Sequence, residues 1–122
     1  MRVLAGTDAG VLNVVPGPSL HQEIALLARD AGMSPFEALA AATRESAALL
    51  RLASDIGTIH QGAYGDLLLV DADPLVDVAA VSRVSAVVVR GRYLDRAALE
   101  ALQQQAAAAP DIANNDWPRT KP

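Results

Sequence analysis

The sequence predicts an α/β fold, and three observations carry that expectation. The apolar run Val3-Leu4-Ala5 leads into the small-residue loop Gly6-Thr7-Asp8-Ala9-Gly10, as a short strand buried on both faces would. Two boxes of the form Ser-x-x-Gln or Ser-x-x-Glu, at Ser19–Gln22 and Ser34–Glu37, each open a helically spaced apolar stripe. From Asp55 onward, short β-rich runs alternate with turns marked by Gly, Pro and Asp.

The first run matters most. Strands covered on both faces belong to parallel sheets flanked by helices. In parallel β/α architectures, reactive groups sit at the carboxyl edge of the strands. Asp8 stands there, and Gly6, Ala9 and Gly10 keep bulk away from it. A plain loop role, with Asp8 accepting backbone hydrogen bonds in an Asx-turn, is the competing reading of the octapeptide. Residues 11–18, with Pro16 and Pro18 around Gly17, cannot continue a helix or central strand and suggest a loop over the mouth near Asp8.

The next stretch is helical. Leu20, Ile24, Leu27, Ala28 and Ala31 share one face, and Gly32 marks its left-handed end. Pro35 occupies a first helical position, where its missing donor costs nothing, and Phe36, Leu39, Ala40 and Thr43 form the next stripe. Ser46–Leu52 reads as a further helical segment. Links this brief predict an antiparallel cluster.

Gly57-Thr58-Ile59 then reads as a short extended piece and Gly62–Gly65 as a turn. Asp66–Asp71 reads as a strand with polar ends, and Asp73-Pro74-Leu75 as a turn held by its aspartate. Val78–Val81 suits a helical turn and Val84–Val89 a strand. Arg90-Gly91 reads as a two-residue hairpin turn, with Arg92-Tyr93-Leu94 returning. Asp95 is the expected N-cap of a last helix striped by Leu99, Leu102 and Ala106 and ended by Pro110. Residues 110–122 are expected to form a disordered or loosely draped tail with Trp117 as its anchor.

Composition narrows the function. The 122 residues suit one domain of ordinary core size. Because 52% are apolar but only 3% aromatic, the core must come from Ala, Val, Leu and Ile. The net charge of −4, with scattered basic residues, argues against nucleic-acid binding. Without cysteine there is neither a disulfide framework nor a thiolate metal site. No apolar run reaches the ~18 residues that span a bilayer. Asp8 interrupts any leader-like stretch, so the expected location is cytoplasmic.

In order, these pieces resemble the C-terminal part of the metal-dependent amidohydrolase superfamily, in its imidazolonepropionase and metal-dependent prolidase branch. Gly6-Thr7-Asp8-Ala9 resembles the end of the eighth barrel strand. Leu20-His21-Gln22-Glu23, Ala31-Gly32-Met33-Ser34-Pro35-Phe36-Glu37-Ala38-Leu39 and Ala41-Ala42-Thr43 resemble the helices that follow it. The run from Gly57-Thr58-Ile59 through Asp66–Asp71 to Asp73-Pro74-Leu75, with Val88-Val89-Arg90-Gly91-Arg92, resembles strands of the small flanking β-sandwich. The likeness covers residues 3 to about 102. Gly65 replaces a common alanine, and Arg51 replaces a common glycine, so the helix end there should be tighter or differently capped.

The resemblance implies a partial fold: the last β/α unit of a (β/α)8 metallo-hydrolase barrel plus the C-terminal half of the flanking β-sandwich. Residues 1–54 would be the terminal barrel strand and helices, 55–94 the sandwich strands, 95–109 the last helix and 110–122 the tail. The implied activity is hydrolysis of C–N bonds in an amide, cyclic amide or dipeptide by metal-activated water. The implied cofactor is one or two divalent metals, usually zinc. Asp8 would touch the metal and shuttle the proton, and His21 would contact substrate.

The family's remaining ligands, an H-x-H pair, a lysine or carboxylate and two further histidines, have no counterpart here. Asp8, His21 and His60 are the only imaginable ligand set, and His60 suits an exposed turn. No metal site is expected within this chain alone, since catalytic zinc takes about three protein ligands. The expectation is therefore a fragment that is inactive alone. The alternatives are a non-catalytic interaction module, or a subunit complementing a partner chain that carries the first seven barrel strands.

Overall fold

The computed structural model describes residues 3–9, 14 and 16–108. Helices α1 (Pro18–Arg29), α2 (Pro35–Ala42) and α3 (Arg44–Leu49) come first. They are followed by β1 (Leu67–Val70), a 3₁₀ turn over Val78–Ser82, β2 (Val84–Val89), β3 (Arg92–Asp95) and α4 (Arg96–Ala108).

The helical half is knit by small residues. Ile24 and Leu27 of α1 pack against Ala38 and Ala41 of α2, with Ala5, Met33 and Val78 around them. Ala38 is wholly buried. The sequence stripes are thus half right. Ile24, Leu27 and Ala40 are buried, while Leu20 and Phe36 stay exposed. With alanines at the contact, no space remains there for a phenyl ring, and Phe36 lies instead beneath the Arg44 guanidinium, 4.7 Å from its centroid.

Helix ends follow their chemistry with one exception. The Ser34–Glu37 box forms in full: Ser34 Oγ accepts from the Glu37 amide, and Glu37 accepts from the Ser34 amide at 2.8 Å. The Ser19–Gln22 box does not form. Gly17 caps α1 and Pro18 takes the first helical position. That leaves Ser19 inside the helix, with its buried hydroxyl oxygen unpartnered. Gly32 takes the expected left-handed conformation, φ 70°. Thr43 breaks the chain between α2 and α3, its hydroxyl donating to Leu39 O at 2.7 Å. The helix expected over Ser46–Leu52 runs instead over Arg44–Leu49. Just beyond it, Arg51 adopts φ 60°, so the left-handed conformation persists without a glycine to relieve it.

The second half is a three-stranded antiparallel sheet in the order β1-β2-β3. Leu67 pairs with Val88, and Val89 with Arg92. The two-residue connection has positive φ at both positions, Arg90 51° and Gly91 75°, as a type I′ turn requires. Asp66 Oδ1 accepts from the Arg90 amide at 2.6 Å and pins this turn to the start of β1. Asp73 Oδ1 accepts from Leu75 N at 2.8 Å, forming the expected Asx-turn. Asp95 caps α4 through the Ala98 amide. Helix α4 meets β3 and β2. Its stripe is only partly covered: Leu99 is half-buried, but Leu102 is exposed.

Two expectations are corrected. Val3–Asp8 forms no strand ladder, because a parallel strand exists only through its lateral partners. The sheet that does form is antiparallel and elsewhere. The Gly57-Thr58-Ile59 piece is a bend rather than a strand. Half of the loop expected over the mouth at residues 11–18 (residues 11–13 and 15), and the tail at 110–122 with Trp117, lie outside the described residues.

Gly57 lays its loop tightly against α3. Its φ is 88°, and a Cβ there would lie 2.8 Å from Ala47 Cβ and 3.0 Å from Arg44 Cα. The obstructing groups are a short Cβ and backbone, which cannot swing aside. Gly57→Ala is expected to destabilise the fold by about 3 kcal/mol from overpacking and left-handed strain together. A urea titration reads the loss, and an unchanged midpoint would disprove the contact.

The capping box also gives the fold a pH dependence. The Ser34 hydroxyl, and then its amide, hold the Glu37 carboxyl below its ordinary value of 4.5. A carboxyl lowered in the folded state lends stability that is complete above its unfolded value and lost as pH falls through the folded one. Stability should therefore drop below pH 4.5 more steeply in the native chain than in Glu37→Gln. Acid titrations followed by circular dichroism compare the two slopes.

Candidate functional site

Asp8 lies just beyond a segment clamped by two helices. Ala5 N donates to Ala41 O of α2 at 3.3 Å. Gly6 N donates to Glu23 Oε1 of α1 at 3.4 Å. The two bonds tie neighbouring residues of the segment to two different helices. Two residues later Asp8 takes φ 51°, a left-handed conformation that aspartate tolerates better than most residues. Asp8 is exposed.

His21 sits in the first turns of α1 and is half-buried. Glu23 follows two residues later on the same helix and is also half-buried. The sequence pattern alone assigns Glu23 no role. The signal was present: Glu23 lies four residues before Leu27, beside the apolar stripe of α1, where an acid needs a partner.

His60 belongs to another part of the surface. Its Nδ1 lies 3.1 Å from Thr58 Oγ1, and its Nε2 lies 3.1 Å from the Ser54 carbonyl. These contacts hold the imidazole within its own exposed loop. Asp8, His21 and His60 are not brought together as a ligand set. Among the described residues, no three His, Asp or Glu side chains gather as a metal site would require. A single exposed carboxylate does not fit a catalytic zinc, which takes about three protein ligands.

Two clefts are formed by described residues. One, of about 690 Å³, runs between α2–α3 and β1, with Leu39, Leu50, Leu68 and Val70 on its walls. The other, of about 700 Å³, lies at the hairpin turn around Tyr64, Asp66 and Arg90. Neither is lined by Asp8 or His21. No helix among the described residues is long and apolar enough to cross a membrane.

An exposed acid just beyond a helix-clamped segment, followed by capped helices and a small antiparallel sheet, makes a mixed helix–sheet arrangement. The amidohydrolase family model matches residues 1–94, and the chain belongs to that family. It is 50% identical over 72 residues to the imidazolonepropionase of Streptomyces avermitilis, covering 57% of this chain and 17% of that protein. Among solved structures, it superposes with TM-score 0.71 and 34% identity on a Bifidobacterium longum protein provisionally described as a prolidase. That match covers 88% of this chain and 28% of the other. A Xaa-Pro dipeptidase gives TM-score 0.65 and 31% identity, over 74% of this chain and 21% of the other. The chain therefore spans between 17% and 28% of the length of these relatives.

Proposed function

We propose that this chain is the terminal unit of a hydrolase acting on C–N bonds, with Asp8 as its proton shuttle. The observation that carries the reading is the position of Asp8. It is the only carboxylate in the clamped segment Val3–Ala9, and it stands where that segment emerges from between α1 and α2. Membership of the amidohydrolase family supports the reaction class.

In the proposed reaction, water oxygen attacks the carbonyl carbon of an amide, cyclic amide or dipeptide. The Asp8 carboxylate takes the proton lost by the water. It then gives that proton to the nitrogen as the C–N bond breaks, leaving a carboxylic acid and an amine. A positioned carboxylate suits this double role because it can act in turn as base and acid. His21, in the opening turns of the adjoining helix, is the proposed substrate contact. Residues 1–54 form the barrel portion, 55–94 the sandwich portion and 95–109 the last helix. The metal and its remaining ligands belong to the rest of the barrel.

Exposed leucines on both sides of β1 support work within a larger assembly. Leu68 and Leu69 of β1 are 51% and 41% exposed, and the outer edge of β1 has no partner strand among the described residues. Bare leucines on a free edge suit a strand that another segment covers. The remainder of the barrel, in the same polypeptide or in a partner chain, is the proposed cover.

Asp8→Asn tests the reading. The variant and the native form are compared in the assembly that supplies the other barrel strands, on Xaa-Pro dipeptides and an imidazolone-ring amide. Native turnover that falls about 10²- to 10⁴-fold in Asp8→Asn, with helicity unchanged, is expected for loss of the proton carrier. Equal turnover in the two forms removes Asp8 from the chemistry. No native turnover on either class favours the interaction-module reading.

A further inference from the structure

We infer that Glu23 is a positioning residue that sets the backbone carrying Asp8, an inference that rests on the proposed proton-shuttle role. The segment from Val3 to Asp8 has no strand ladder, the one bridge falling beyond it at Ala9, so on the side before Asp8 its direction is fixed by few described contacts. Ala5 is held on both counts that fix a residue: its amide donates to Ala41 O, and its methyl packs on the Ile24–Leu27–Ala38–Ala41 cluster. Gly6 has no side chain, and no heavy atom lies within 4 Å of where its Cβ would be. Packing therefore cannot orient Gly6, and glycine is the residue freest to rotate. The described contact that orients it is the Glu23 carboxylate, 3.4 Å from its amide nitrogen.

The chemistry suits that task. A bond from an amide to a carboxylate is charge-assisted, stronger and more directional than one to a neutral oxygen. Its present length exceeds the usual 2.7–3.2 Å range. Glu23 lies two residues after His21 on α1, so the proposed clamp and the proposed substrate contact leave different faces of the same helix. Rotation about Gly6 would swing Asp8, two residues on, away from a reacting nitrogen. Small misplacements of a catalytic group are costly, with about 1 Å sufficing for roughly 10²-fold in rate.

The test uses Glu23→Ala and Glu23→Gln. In this chain, amide hydrogen exchange at Gly6 is measured by NMR, with Ala5 as the internal reference. Glu23→Ala should speed Gly6 exchange about tenfold, the loss expected for one charged hydrogen bond. Ala5 should hold its rate, and Glu23→Gln, which keeps an acceptor oxygen, should restore most of the Gly6 protection. In the assembled hydrolase, Glu23→Ala should lower kcat at least tenfold with KM little changed, and Gln should recover most of the loss. Gly6 exchange that ignores Glu23→Ala overturns the clamp. Faster exchange with native kcat reduces Glu23 to a structural bond and overturns the positioning role. These failures are separate from that of the shuttle itself, which Asp8→Asn reports independently.

Discussion

The contact between α1 and α2 is the constraint on which the helical half of the molecule depends. It is built from Ile24 and Leu27 on one side and Ala38 and Ala41 on the other. Small side chains let two helix backbones approach closely, and that approach brings the Ala41 carbonyl within reach of the Ala5 amide. A larger residue at Ala38 would separate the helices and free the segment that bears Asp8. Burying alanines contributes little apolar area each, at about 25 cal/mol per Å². The alanine interface thus yields geometry more than stability, and the capped helix ends and pinned turns supply local order that the core alone does not.

Those local devices also join the two halves. Val78 reaches the helical cluster, while the 3₁₀ turn it opens buries Ala80 and Val81 before entering the sheet. Gly57 does the same from the other side, laying its backbone against Arg44 and Ala47 of α3. The Asp66 carboxylate then fixes the Arg90–Gly91 turn, and the Asp71–Arg96 pair links the end of β1 to α4 at 2.8 Å. That last pair is half-exposed, so its worth is small beside the hydrogen bonds that hold the turns.

What could be read from the chain divides along this line between local and distant causes. The Ser34–Glu37 box, the Asp73 turn, the Arg90–Gly91 hairpin and the Asp95 cap were legible because each is decided by a few adjacent residues. Ser19 misled because Pro18, one residue earlier, claims the helix start. Phe36 misled because periodicity names a face without saying how close the next helix lies. Arg51 was flagged as a departure, and the helix end there keeps its left-handed turn at the expense of strain. Val3–Ala5 misled in the most instructive way. Its apolar character marks a site for burial, but the strand conformation needs neighbours, and the ladder does not form without them.

The same logic bears on the proposed site. Asp8 could be singled out from its setting of small residues, whereas Glu23 could not be assigned a task until the fold brought α1 beside Gly6. A catalytic carboxylate on a glycine-rich tip faces a physical conflict: small residues admit substrate, yet they also leave the backbone loose. A barrel resolves that conflict with lateral strand pairing on both sides of the tip. Here the clamp comes from Ala41 beneath and Glu23 alongside, two anchors on two different helices. That arrangement ties the backbone leading to Asp8 to the α1–α2 packing itself, while the bridge at Ala9 holds the chain on its far side.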